Sequence, residues 1–249
     1  MAGFGWEVIA IGASAALFAG ISKGGFGSGA AFLGAAILAL FVPPGQALGI
    51  MLPLLLVIDA ATLRPYWRQW DSAGAKQLLL GALPGVLLGA GLYQVADADV
   101  FRLIIGLVCV LFVAWRVWPG QAVARSESMP GWAGAVLGAL AGFTSYVSHA
   151  GGPAVAVYLL SKGIGKTRYQ ATTVLVFGVL NVVKAGLYGA QGLFTPATLW
   201  LDLWLVPFAL AGAWLGVVLH RRVAESWFFG ITYVVLVLTG LRLIQVALI

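Results

Sequence analysis

Apolar residues run through this chain in long blocks, and the charged residues collect in the short gaps between them. Six blocks hold about 20 residues each, the length an α-helix needs to cross a hydrocarbon core about 30 Å thick. They span approximately Ala47 to Leu63, Gln77 to Val95, Phe101 to Trp118, Ala171 to Gly189, Leu199 to Leu219, and Trp227 to Val246. Two further blocks are longer and interrupted by small or polar residues. Trp6 to Val42 is broken by Ser22, Lys23, Gly24, Gly25, Phe26, Gly27, Ser28 and Gly29. Trp132 to Leu160 is broken by Thr144, Ser145, Tyr146, Val147, Ser148, His149, Ala150, Gly151, Gly152 and Pro153. Glycine favours irregular backbone and proline lacks a donor, so both stretches are expected to unwind. The pieces flanking each break, about 12 to 16 residues long, suit re-entrant segments better than full crossings.

Composition supports lipid as the solvent. Of 249 residues, 61% are hydrophobic and only 9% charged, against roughly 25% charged in a soluble domain. The net charge of +6 does not point to nucleic acid, because the basic residues sit in gaps between apolar runs and not on one solvated face. The single cysteine, Cys109, has no partner for a disulfide or a thiolate metal site. No Lys or Arg precedes Lys23, so the chain from Trp6 onward is expected to be mature protein.

The basic residues also choose a topology. If each broken block enters and leaves on one side, then Arg64, Arg68, Lys76, Arg116, Arg125, Lys162, Lys166, Arg168, Arg221 and Arg222 all face the same compartment. Arg102 and Arg242 face the other, and Lys23 and Lys184 lie within segments. Such a bias marks a cytoplasmic side and predicts both termini outside. The expected fold is therefore an all-α integral membrane protein.

The two halves also resemble each other. Ala19-Gly20-Ile21-Ser22 parallels Ala141-Gly142-Phe143-Thr144, Gln46-Ala47 parallels Gln170-Ala171, and Pro84 parallels Pro207. Gly27 with Ala30 parallels Gly151 with Ala154, and Gly85 with Gly89 parallels Gly212 with Gly216. Residues 1–119 and 131–249 then form two membrane repeats, joined by a cytoplasmic linker at 120–130. Each is a broken, re-entrant helical hairpin followed by three transmembrane helices, and the topology makes the repeats inverted. Interrupted helices at matching places in inverted repeats point to a transporter binding site.

The glycine-rich first break, Gly151-Gly152-Pro153 followed by Tyr158-Leu159-Leu160, and the order Asn181…Lys184…Tyr188 resemble the sulfite exporter TauE/SafE family across nearly the whole chain. The resemblance implies transport of sulfite, sulfonates or other sulfur-containing anions, usually in a bacterial inner (cytoplasmic) membrane. Ser28 interrupts the glycine cluster of the first break, which leaves the particular substrate open.

Candidate site residues follow from the breaks. An unwound segment exposes backbone N–H groups and the positive start of the next helix, which suit an anion. The expected substrate-binding set is Ser22, Lys23, Gly24, Gly25, Gly27, Ser28, Thr144, Ser145, Ser148, His149, Gly151, Gly152, Pro153, Asn181 and Lys184. The bland account is that the glycines only permit close helix packing. Lys184 is either a counter-charge or a snorkelling side chain. Lys23 either attracts substrate or anchors a cytoplasmic tip. Asp59 is either a proton-coupling carboxylate or the salt-bridged end of a span, while Asp202 and Glu7 are expected at solvated edges.

The expected function is a secondary transporter exporting a small sulfur-containing anion by alternating access. Import of a related anion such as thiosulfate and a passive anion channel are the rivals. The isolated His149 and His220 and the lack of a nucleophile–base pair argue against an enzyme, a metal site or a cofactor. No phosphate-binding Gly-rich loop precedes a Gly-Lys-Ser/Thr, which argues against a nucleotide-driven pump. The expected partners are the small anion and the lipid bilayer, with no nucleic acid; the sequence leaves the oligomeric state unspecified.

Overall fold

The computed structural model describes residues 4–26, 31–118, 129–220 and 225–249. Every regular element among them is a helix: α1 Trp6–Gly25, α2 Leu33–Leu38, α3 Pro44–Leu63, α4 Ser72–Val95, α5 Ala98–Val117, α6 Gly131–Ser148, α7 Gly152–Ser161, α8 Lys166–Ala190, α9 Pro196–Leu219 and α10 Glu225–Leu248. Each half thus runs long, short, long, long, long. Six of the helices are long and apolar enough to cross a membrane, α1 among them.

The spans start up to five residues earlier than the apolar blocks do, because polar caps add a turn. Asp71 accepts from Gly74 N–H at 3.1 Å, and Asp97 accepts from Asp99 and Val100 N–H at 3.1 and 2.9 Å. Thr195 and Thr198 bond reciprocally, Oγ1 to N–H, at 3.0 and 3.1 Å ahead of Pro196. These side chains satisfy N–H groups that have no intrahelical partner.

The halves meet at several helix pairs, α5 with α10 and α3 with α8 and α9 among them, and most closely at two. α9 lies along α1, and α4 lies along α6. In both seams glycine brings backbones together. A Cβ on Gly20 would stand 2.6 Å from Ala209 O and from Ala213 N. Gly85 meets Ala139 and Phe143 in the same way across the second seam. Contact numbers rise together in each pair (Gly12 with Leu205, Gly20 with Ala213, Gly24 with Gly216), so the paired helices run parallel. Lipid-length apolar side chains cover the opposite faces: Leu80, Leu87 and Leu88 on α4, and Leu203, Trp204 and Trp214 on α9, are all exposed. One core gathers α1, α2, α3 and α9 with α5 and α10, the other α4, α6, α7 and α8. α3 belongs to both, through Ile50, Met51 and Leu54 on one side and Leu48 and Leu52 on the other.

The breaks differ from expectation. Ser22 to Gly25 are the last turn of α1, and Thr144 to Ser148 the last turn of α6, so only His149 to Gly151 leave the helix in the second half. The first legs are correspondingly 20 and 18 residues long, not 12 to 16. Tertiary packing overrides glycine's low helix propensity: Gly24 and Gly25 face Ala213 and Gly216 of α9 and stay helical there. The helix after the first break, α2, has six residues and begins only at Leu33. Gly27 and Ser28, most of the 120–130 linker, and Arg221 and Arg222 lie outside the described residues.

Hydrogen bonds fix which helix ends meet. Gln170 at the start of α8 donates to Lys23 O at the end of α1. Thr172 Oγ1 accepts from Asp71 N at 2.8 Å, and Lys166 Nζ donates to His220 O at 2.9 Å. Arg64, Arg68, Lys76, Lys162, Lys166 and Arg168 follow these contacts to one end of the bundle. At the other end, Gln191 Nε2 donates to Ala90 O at 3.0 Å.

Candidate functional site

The second break is built around His149. It ends α6 in the left-handed region, φ 57° and ψ 15°, a conformation that costs a non-glycine residue of order 1–3 kcal/mol. Its backbone N–H returns to Ser145 O at 3.0 Å, and its ring is held at both nitrogens. Nε2 lies 3.3 Å from Leu48 O, which can only accept. Nε2 therefore carries the proton, and Nδ1 accepts from Lys184 Nζ at 2.8 Å. The strained backbone places a neutral imidazole where it can meet the lysine.

Lys184 comes from mid-α8 and is fully buried. Its ammonium donates to Ser145 O at 2.9 Å, Ser145 Oγ at 3.1 Å and His149 Nδ1. All three acceptors are neutral. The side chain reaches across to α6 and does not snorkel. α7 restarts at Gly152, three residues after His149, with Pro153 in its first turn. The N–H groups of that first turn have no intrahelical partner, and the helix start is positive. Ser148 Oγ donates to Thr144 O at 2.9 Å, and Thr144 Oγ1 to Leu140 O at 2.8 Å. These two hydroxyl protons are thus spent on the helix backbone.

The first break carries an ion pair. Lys23 Nζ lies 2.5 Å from Asp59 Oδ1, with side chains 2% and 7% exposed. Lys23 is thus an interior residue and not a tip anchor, and Asp59 pairs with it across the helix interface, not with Arg64 at its own helix end. Asn181 Nδ2 donates to Asp59 Oδ2 at 2.7 Å. The last carbonyls of α1 are capped in turn: Lys23 O by Gln170, Gly24 O by Tyr66 Oη at 2.8 Å, and Gly25 O by His220 Nδ1 at 2.5 Å.

Asn181 and Lys184 stand three residues apart on one face of α8, so the two clusters join. The joined unit buries two lysines, Lys23 and Lys184, and one carboxylate, Asp59. Lys23 has the carboxylate, and Lys184 has only neutral partners.

Of the expected site residues, Lys23, Ser145, His149, Asn181, Lys184 and Asp59 meet in this unit, with Gly151, Gly152 and Pro153 at its edge. Ser22 is buried in the last turn of α1. Gly24 and Gly25 serve the α1–α9 seam instead, and Gly151 is packed tightly, since a Cβ there would lie 2.6 Å from Ala141 O and 3.0 Å from Ser145 Cβ. The candidate set omitted Gln170, Tyr146, Tyr188 and Gln191, although Tyr146 stands in the second break and Tyr188 in the Asn181…Lys184…Tyr188 run. Tyr146 and Tyr188 stack edge-on with centroids 4.9 Å apart, and Tyr188 Oη donates to Tyr146 O at 2.5 Å. Tyr146 Oη donates to Gln191. The pair lies beyond His149, toward the end of the bundle that carries a cleft of about 380 Å³ lined by Pro43, Gln46, Tyr93, Asp97 and Thr195. The Gln46–Gln170 match was the one available signal for Gln170.

Residues 12–243 match the family model described as Sulfite exporter TauE/SafE. No curated protein and no solved structure matches the chain.

Proposed function

The chain belongs to the sulfite exporter TauE/SafE family, and from that premise we propose that it is a secondary transporter for a small sulfur-containing anion, bound where Lys184, Ser145 and His149 meet the start of α7. One observation carries the proposal: Lys184 is fully buried with only neutral partners. An uncompensated charge inside a membrane protein is costly and is retained where it has a ligand or a cavity to face. A singly charged oxyanion, such as a sulfonate head or hydrogensulfite, supplies the missing negative charge. Its oxygens accept from Lys184 Nζ, from the Ser145 hydroxyl and from the first N–H groups of α7.

Two layers then close the site in turn. Toward the cleft, Tyr146, Tyr188 and Gln191 form the barrier. Toward the basic end, the barrier is Lys23–Asp59–Asn181 with Gln170. Alternating access requires one layer to part while the other holds, by movement of one parallel helix pair against the other. We assign the basic end to the cytoplasm, which puts the cleft outside and makes export of the anion the working direction.

Reconstituted vesicles loaded with unlabelled sulfite test the reading. Uptake of labelled sulfite by counterflow, saturable and competed by methanesulfonate, is the expected result. Linear, non-saturating uptake without counterflow would mean a passive pore, and an imposed gradient of either sense separates export from import.

A further inference from the structure

We propose that Asp202 is a proton-binding site in the α1–α9 seam, loaded and emptied during the transport cycle; this deepens the transporter reading and rests on it. Asp202 lies six residues into α9, ~9 Å from the helix start at 1.5 Å per residue. The sequence places it at a solvated edge, yet it is only 4% exposed. Neither carboxylate oxygen has a hydrogen-bond partner among the described residues.

No cation among the described residues is positioned to neutralise it. Asp202 is the only titratable residue in α9. α1, packed along α9, carries Glu7, which is exposed, and Lys23, which is committed to Asp59. α3, the other helix packed on α9, carries only Asp59, already held by Lys23 and Asn181. Around Asp202 the seam presents Leu201 and Leu205. A bare carboxylate here would bear a desolvation cost of several kcal/mol, while the neutral acid avoids it. The closed arrangement therefore holds a carboxylic acid, and ionisation needs a second arrangement in which water reaches it.

The seam can supply that arrangement. Gly20 and Gly24 of α1 meet the α9 backbone directly, and Leu205 of α9 fills the space at Gly12, so few large side chains interlock as α9 shifts along α1. The last turn of α1 carries Lys23, so a shift that wets Asp202 also moves the Lys23–Asp59 barrier. One proton passes from water to an Asp202 oxygen and back to water, with no other bond made or broken. Asp59 already has an ion pair and an amide donor, whereas Asp202 has neither, and this favours Asp202 as the coupling carboxylate.

Two measurements test the site on the full-length protein in vesicles. Isotope-edited infrared spectra are expected to show a protonated carboxyl band that titrates with pH and is absent in Asp202→Asn. In transport, one coupled proton changes the steady-state sulfite ratio about tenfold for a pH difference of about one unit. Asp202→Asn should keep sulfite counterflow and lose this dependence. An Asp202→Asn protein that follows the pH gradient as wild type does, or a wild-type carboxyl band that the substitution leaves in place, would overturn the proposal. If wild type shows no sulfite counterflow at all, the transporter reading fails, while the infrared band still decides whether Asp202 binds a proton. If Asp202→Asn does not insert, Asp202→Glu must retain the band and the pH dependence; their loss would count against the proposal.

Discussion

Replacing Lys184 with methionine separates a binding lysine from a structural one, because the two roles predict opposite balances of affinity and stability. Lys184→Met removes the ammonium and keeps most of the aliphatic volume. In the empty protein, Ser145 O still has the His149 N–H at 3.0 Å, so only Ser145 Oγ and His149 Nδ1 lose their donor. Each unsatisfied buried group costs about 1–3 kcal/mol, and the hydroxyl can turn to find another partner. Against this stands relief from burying an amine with no carboxylate beside it, which as an ammonium costs several kcal/mol. The two terms nearly offset, so the melting temperature in detergent should move by no more than about 4 °C, given about 2–4 °C per kcal/mol for a chain of this size. Anion binding should suffer far more. A hydrogen bond to a charged group contributes about 1.5–3 kcal/mol, so the dissociation constant for sulfite should rise about ten- to a hundredfold. Calorimetric titration of sulfite and methanesulfonate into both proteins gives the affinity, and a thermal melt of the same samples gives the stability. Unchanged affinity with a collapse in stability would refute the binding role and leave Lys184 as a cross-brace between α6 and α8.

Two further substitutions probe the surroundings. Asp59→Asn strands Lys23 in the interior and should destabilise the protein by about 3–5 kcal/mol. Lys23→Met in the same chain should restore most of that loss, and purely additive melting shifts would contradict the ion pair. Gly20→Ala forces a Cβ to within 2.6 Å of the α9 backbone and should lower the melting temperature sharply. Gly91→Ala, with nothing within 4 Å of its added Cβ, should leave the stability level or raise it by about 1 kcal/mol, one helix-propensity increment.

The spans were legible in the sequence because lipid imposes a length, and each apolar block near 20 residues became a helix. Their true starts were not, because Asp71, Asp97 and Thr195 extend them with polar turns that hydropathy alone discounts. The breaks were legible as places but not as shapes. Glycine serves both to unwind backbone and to admit a neighbouring helix, and only the partner decides which. At Gly24 and Gly25 that partner is α9, nearly 200 residues away in the chain, and the residues stay helical. At His149 the ring bonds across to Leu48 O of α3 and Lys184 of α8, and the chain turns into the left-handed region. Lys184 and Asn181 could be named from burial within a span, but their acceptors on α6 and α3 are set by long-range packing. Asp202 was misjudged because counting the span from Leu199 puts it at an edge; the helix starts at Pro196, and α1 lies over it.

The most direct measurement is an experimental structure with selenite, a heavier relative of sulfite whose selenium scatters anomalously. Binding at Lys184 predicts an anomalous peak within hydrogen-bonding distance of Lys184 Nζ and Ser145 Oγ, facing the first turn of α7. A peak confined to the cleft by Tyr93 and Asp97, with the Lys184 ammonium still bonded only to Ser145 and His149, would contradict it.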